Sequence, residues 1–219
     1  MDNYSSSPPP PPPMHASMSD SQQFHLLDKL KVFRIGGRDK LGRDILCVIG
    51  KLFPARFVSG HVLKRYLEEK IYRKLEQRPF SVVYVHTGVH RGENFPGIST
   101  VWSIYEAIPI SVRQNIEAVY FVHPDLQARL FLAIFGRVFL SGGLYSKLKY
   151  LNRLEFLWEH VRRKEIREMP EFVYEYDEEL DDQCQMVDFG PEGDHPRTLH
   201  PSTALPESVV PSYSMRCIS

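Results

Sequence analysis

The sequence predicts an α/β domain in which a mainly parallel β-sheet is flanked by helices, with disordered stretches at both ends. Three observations carry this expectation. Residues 80–86 (FSVVYVH) and 118–122 (AVYFV) are short, β-branched, continuous apolar runs, the pattern of strands covered on both faces. Around them lie stretches whose apolar residues recur at helical spacing, so that strands and helices alternate. The two ends, 1–23 and 181–219, hold many prolines and polar residues and no such periodicity.

The elements follow in order. Pro8 to Pro13 are six consecutive prolines, a polyproline II or unfolded leader ahead of a folded body at 24–180. Val32 to Ile35 is a short strand, Gly36, Gly37, Asp39 and Gly42 make a turn, and Asp44 to Ile49 (DILCVI) returns, giving a hairpin. Residues 57–75 form a helix, with Phe57, His61, Leu63, Leu67, Ile71 and Leu75 near one stripe and Pro79 as its stop. After strand 80–86 comes a glycine-containing loop, 87–97. Ile98, Val101, Trp102, Tyr105 and Ile108 keep helical spacing before strand 118–122. Pro124 opens the next helix, Asp125 suits its first turn, and the helix runs to about Leu140. Residues 149–151 are a short last strand and 153–163 the last clear helix. The order β-β-α-β-α-β-α-β-α requires crossovers between parallel strands.

Composition narrows the function classes. The chain is 42% apolar and 25% charged with no net charge, which gives no ground for a nucleic-acid partner. The charge is split, however. Eleven acidic and no Lys or Arg residues lie between Glu168 and His195, leaving 27 basic against 16 acidic residues elsewhere. Cys47, Cys184 and Cys217 are too scattered for a disulfide framework or a metal site, and Cys47 reads as a buried thiol. The polar, proline-rich start is not a signal peptide, and the longest strongly apolar run, 130–135, is too short to span a bilayer. The expected location is cytoplasmic.

His86 and His90 flank a strand end and a loop, a poor setting for metal ligation. His86 and His123 both fall near the carboxyl ends of strands, where ligands gather in open α/β sheets. No nucleophile, nucleotide-binding loop or metal motif accompanies them, so neither catalysis nor a cofactor is expected. Helix 125–140 is apolar nearly all round, with Phe131, Phe135 and Phe139 at i, i+4, i+8. It reads either as plain core or as the wall of a pocket or docking face. Arg129, Arg137, Lys147, Lys149, Arg153, Arg162, Arg163, Lys164 and Arg167 lie within 39 residues that hold three acids, a pattern suited to a phosphoinositide headgroup, an anionic membrane or an acidic partner. A solvated helix face is the plain alternative.

Several of these stretches resemble the divergent CRAL-TRIO lipid-binding family, including the BCH-type domains of Rho-GAP regulators. They are VYFVHPDLQARLFLAIFGRVF at 119–139, SKLKYLNRL at 146–154 and MPEFVYEYDEE at 169–179. The D-x-x-G-R pattern of Asp39, Gly42 and Arg43 and the strand SVVYVHT at 81–87 also match, so the resemblance spans about residues 28–180. It implies a hydrophobic cavity between sheet and helices, closed by a mobile helix that corresponds to 125–140, with Phe131, Ile134, Phe135, Val138 and Phe139 at the pocket or gate. It implies a lipid or phosphoinositide ligand and peripheral membrane contact. Lys147 stands where the transfer proteins place a headgroup lysine, with Lys149 and Arg153 beside it. The BCH-type members imply the alternative of an interaction scaffold that engages small-GTPase regulators or itself.

Overall fold

The computed structural model describes residues 18–139, 143–166 and 169–187, without the side chains of 135, 137–139 and 182–187. Most of the expected leader and tail lies outside the described residues.

One five-stranded sheet runs in the order β1 (Phe33–Arg38), β2 (Asp44–Ile49), β3 (Phe80–Val85), β4 (Ile116–Val122) and β5 (Leu148–Leu151). β1 is antiparallel to β2, and the remaining neighbours are parallel. Spatial order equals chain order, so each crossover advances one strand in the same direction. The helices are α1 (Asp20–Leu30), α2 (Gly60–Tyr66), α3 (Arg73–Leu75), α4 (Ile98–Ala107), α5 (Ile110–Asn115), α6 (Leu126–Phe139), α7 (Leu154–Trp158) and α8 (Glu171–Val187). The expected sheet class and its flanking helices are therefore present.

The hairpin is closed by one carboxylate. Asp39 accepts from the backbone N–H of Leu41 and of Arg43, both at 2.9 Å, from Arg43 Nε at 2.6 Å and from Ser81 Oγ at 2.8 Å. Burial opposes its charge, yet the bonds from Arg43 and Ser81 hold its pKa below the ordinary value. Gly42 takes a positive φ of 82° at the turn, as the tight return requires. Gly37 is fixed by close approach, because an added Cβ would stand 2.3 Å from the carbonyl oxygen of Glu165.

Strand alternation sends residues to two cores. Face one gathers Leu46, Phe80 and Ile116 with Leu27 of α1, Leu63 and Tyr66 of α2, Leu75 and Tyr105. Between α2 and α3 the helix passes through a π-helical stretch, Leu67–Tyr72, in which Leu67, Ile71 and Tyr72 are all buried. Face two gathers Ile45, Cys47, Ile49, Val83, Val85, Ala118, Tyr120 and Val122 under Leu154, Leu157, Val161, Ile166, Met169 and Val173. Cys47 sits there as the expected buried thiol, its pKa pushed up to about 12 by burial.

Several boundaries differ from the sequence reading. β1 runs on through Gly36 and Gly37, expected in the turn, to Arg38, because the ladder with β2 resumes after a register shift with Arg38 opposite Asp44, and β4 begins two residues early at Ile116. Helix α1 starts at Asp20, inside the expected leader, behind a capping box made by Ser19 and Gln22. Its weak apolar stripe, with only Gln23 and Leu27 buried, hid it among polar residues. The helix expected from Phe57 begins at Gly60, where Ser59 Oγ accepts from the Val62 N–H. The helix expected over 153–163 stops at Trp158. Val161 leaves it to bridge Asp39, and the final helix is α8, which continues past 180.

Candidate functional site

The carboxyl rim of the parallel strands is built differently on the two faces. On face two, His123 ends β4. Its N–H still donates to Leu151 O at 2.8 Å, but its φ of 51° is left-handed, a conformation uncommon outside glycine that turns the chain sharply into α6. The imidazole side chain is fully buried. Nε2 meets Asp177 Oδ1 of α8 at 3.0 Å and Nδ1 meets Thr87 Oγ1 at 2.8 Å. Because a carboxylate only accepts, Nε2 carries the proton and the Thr87 hydroxyl donates to Nδ1. Asp177 Oδ1 also accepts from the Leu154 N–H at 2.8 Å and from Arg153 Nε at 3.3 Å, and Arg153 reaches Asp181 as well. Burial lowers the His123 pKa; the bond to Asp177 and its charge oppose this, and Arg153 adds to the lowering. The network fastens α8 to the rim, while burial disfavours the charged form of His123.

On face one the rim is open. Tyr84, His86, Phe121 and Tyr150 alternate onto this side of β3, β4 and β5. Tyr84 lies 4.9 Å from Phe121, His86 5.3 Å from Phe121, and Phe121 6.0 Å from Tyr150 between ring centroids. They form an aromatic floor in which Tyr84, His86 and Phe121 are half-buried and Tyr150 is 36% exposed. Beside it stands α6. Asp125 caps the helix by accepting from the Ala128 N–H at 2.6 Å, and its other oxygen lies 3.5 Å from His86 Nε2. Burial lowers the His86 pKa, with Asp125 pulling the other way. Further along, Arg129 donates to Asn152 Oδ1, and Gly136 packs so close to Tyr145 that an added Cβ would stand 2.6 Å from its ring. These ties set α6 along the β5 side and leave Leu126, Leu130 and Ile134, one stripe at i, i+4, i+8, exposed at 76%, 58% and 62%.

The residues expected to act are placed as follows. Ile134 is on that exposed stripe and Phe131 is half-buried; the side chains of Phe135, Val138 and Phe139 lie outside the described residues. Lys147, Lys149 and Arg153 are not brought together. Lys147 Nζ donates to Ile116 O at 2.6 Å at the start of β4, with Glu117 3.9 Å away. Lys149 is exposed on face two, over Tyr120. Arg153 is occupied at the opposite end of the strands by Asp177 and Asp181. His86 and His123 are both at the rim, as expected, but each faces a different carboxylate. Sequence reasoning missed the aromatic floor and the Thr87–His123–Asp177 chain. The floor had a signal, since Tyr84 and His86 alternate with Val83 and Val85 in β3. The chain had none, because Asp177 lies 54 residues beyond His123.

The two described clefts are not lined by α6. One, about 380 Å³, lies among Phe24, His25, Asp28 and Arg65; the other, of similar size, lies among Arg34, Gly37, Cys47 and Glu165. No helix among the described residues is long and apolar enough to cross a membrane, and no group of three or more potential metal ligands occurs among them.

The profile of the divergent CRAL/TRIO domain matches residues 42–179. The chain belongs to the divergent CRAL-TRIO family. Its relatives include the Rho GTPase-activating protein gacY of Dictyostelium discoideum, 27% identical over 152 residues covering 69% of this chain and 21% of the relative. Ganglioside-induced differentiation-associated protein 2 of Mus musculus is 26% identical over 157 residues, 72% of this chain and 31% of the relative. Rho GTPase-activating protein 1 of Homo sapiens is 27% identical over 151 residues, 68% of this chain and 34% of the relative. The chain thus matches between a fifth and a third of each relative's length, and the CRAL-TRIO domain is the part they share with it.

Proposed function

We propose that this CRAL-TRIO domain binds, without catalysis, a lipid-like apolar ligand against the face-one rim, between the aromatic floor and the exposed stripe of α6. The supporting observation is the stripe itself. Three large aliphatic side chains stand in solvent on one helix, whose capping residue Asp125 meets His86 of the aromatic floor. Covering one acyl chain would contribute about 0.8 kcal/mol per buried CH₂ before ordering costs. The two rim histidines are each engaged by a separate carboxylate, which in this reading makes them polar anchors of the rim. The reading assigns no headgroup to Lys147, Lys149 and Arg153 as a set, since two of the three are engaged at opposite ends of the strands. A phosphoinositide therefore remains one candidate among apolar ligands, and cytoplasmic residence with peripheral membrane contact is the setting in which such a ligand is met.

A second reading has the same stripe as its support. Leu126, Leu130 and Ile134 also suit an apolar groove on a protein, and three relatives are Rho-GTPase-activating or differentiation-associated proteins by name. Mass spectrometry of lipids extracted from the purified chain separates the two. Stoichiometric lipid that disappears in Leu130→Glu/Ile134→Glu, with the fold retained, supports ligand binding. Repeatedly lipid-free protein that also ignores liposomes overturns it and leaves the scaffold.

A further inference from the structure

We infer that face two of the sheet carries a binding site for a phosphate group, centred on His160 and framed by Lys40, Arg43 and Lys149. The site lies across the sheet from the aromatic floor and stands independently of what that floor binds. The segment after α7 runs back along the hairpin. Val161 bridges Asp39, and the Lys40 N–H donates to His160 O at 2.9 Å, which joins the two residues through their backbones. The ring is stacked on Tyr120 with centroids 4.8 Å apart and planes 20° from parallel. Lys149 Nζ stands 5.9 Å from the centroid of the same Tyr120 ring. Arg43, anchored on Asp39 at 2.6 Å, also reaches the Tyr120 hydroxyl. Charges from the hairpin and from β5 therefore act on one imidazole held by stacking on Tyr120.

Carboxylates do not balance them. Asp39 is committed to Arg43 and Ser81, and the charge of Glu159 opposes the cations at His160. Among the described residues neither Lys40 nor Lys149 has a carboxylate within ion-pair distance, whereas Arg38, Arg56, Arg65, Lys70, Lys147 and Arg153 all do. Arg162 and Lys164 stand exposed on the same segment. The uncompensated field registers on His160. Its pKa is lowered by burial, then by Lys149, Lys40 and Arg43, with Glu159 opposing.

Two flexible ammonium groups and a fixed imidazole suit a multiply charged oxyanion, whose several oxygens take a donor each; a single carboxylate would neutralise only one cation. Binding and protonation are then linked. A phosphate offsets the repulsion that holds His160 neutral, so the bound anion raises its pKa, and protonated His160 strengthens the bound anion by the same factor. The phosphate could belong to a soluble ester or to a lipid headgroup, and the recognition chemistry is common to both.

The test is an NMR pH titration of the His160 ring proton, assigned with His160→Gln, with and without inorganic phosphate and then inositol trisphosphate. The expected result is a midpoint below the ordinary histidine value in the free protein that rises by about one unit with anion. In Lys40→Gln/Lys149→Gln, both changes being at exposed side chains, the free midpoint should rise and the anion response vanish. An unmoved midpoint, or a response that survives in the double variant, overturns the site. Cosedimentation with phosphatidylcholine vesicles, with and without a phosphoinositide, distinguishes the sources. Retention only on phosphoinositide vesicles, lost in the double variant, assigns a headgroup. Response to the soluble ester without retention assigns a soluble ligand.

Discussion

At the same rim, from the same strands, helix α8 closes face two and helix α6 leaves face one open. The difference lies in what each helix offers the strand ends. α8 presents Asp177, which takes bonds from His123, Arg153 and the Leu154 N–H, and beneath it Val83, Val85 and Val122 are sealed from solvent. α6 is tied by Asp125, which caps it and faces His86, by Arg129 on Asn152 and by the Gly136–Tyr145 contact, and its aliphatic stripe faces water. A buried polar network gives one helix a single seat. A helix without one is free to be seated by something else. That contrast, more than the hydrophobicity of either helix, marks where this domain has room for a ligand.

The largest expected effect comes from unseating α8. Asp177→Ala leaves the buried His123 Nε2–H and the Leu154 N–H without their acceptor and takes one of the two carboxylates from Arg153, and urea unfolding should show a loss of about 3 kcal/mol. A loss below 1 kcal/mol would mean that the network does not hold the helix. Next is the hinge side of α6. Gly136→Val forces the helix off Tyr145 and should cost about 1–3 kcal/mol by overpacking, with a change in α6 rather than α8 protection. Lys147→Met removes a donor from Ile116 O, and thermal unfolding should register a cost of about 1 kcal/mol. The smallest effect is expected at the stripe itself. Leu130→Ser should leave stability within about 0.5 kcal/mol while weakening ligand retention.

pH sharpens the same comparison. His86 and His123 both have folded pKa values below the unfolded one, so the unfolded state binds protons more readily. Stability should therefore fall as pH drops from the unfolded histidine value toward the folded ones, then level off with respect to these groups. His123→Gln should remove part of that slope, measured as unfolding free energy against pH.

The sheet was readable because its strands are covered on both faces: the runs at 80–86 and 118–122 and the returning DILCVI have no amphipathic ambiguity. β2 falls on its expected bounds, and β3 within one residue. α1 was not readable, since it buries little and its capping box sits in polar sequence. The end of α7 was hidden for another reason: a long-range bridge between Val161 and Asp39 overrides a locally helical pattern. The apolar character of α6 was plain in the sequence, but which side of it stays exposed depends on Arg129, Gly136 and their partners on the β5 side. Lys147, Lys149 and Arg153 looked like one patch because they are close in sequence. A strand spreads neighbours along its length and across both faces, and here it sends them to separate places.

Native-state hydrogen exchange across α6 and α8 tests the contrast most directly. Amides of 126–134 should exchange through local opening at a small fraction of the global unfolding free energy, while those of 173–181 should approach the global value. Equal protection of the two helices in the ligand-free chain would contradict the account, because α6 would then be as firmly seated as α8.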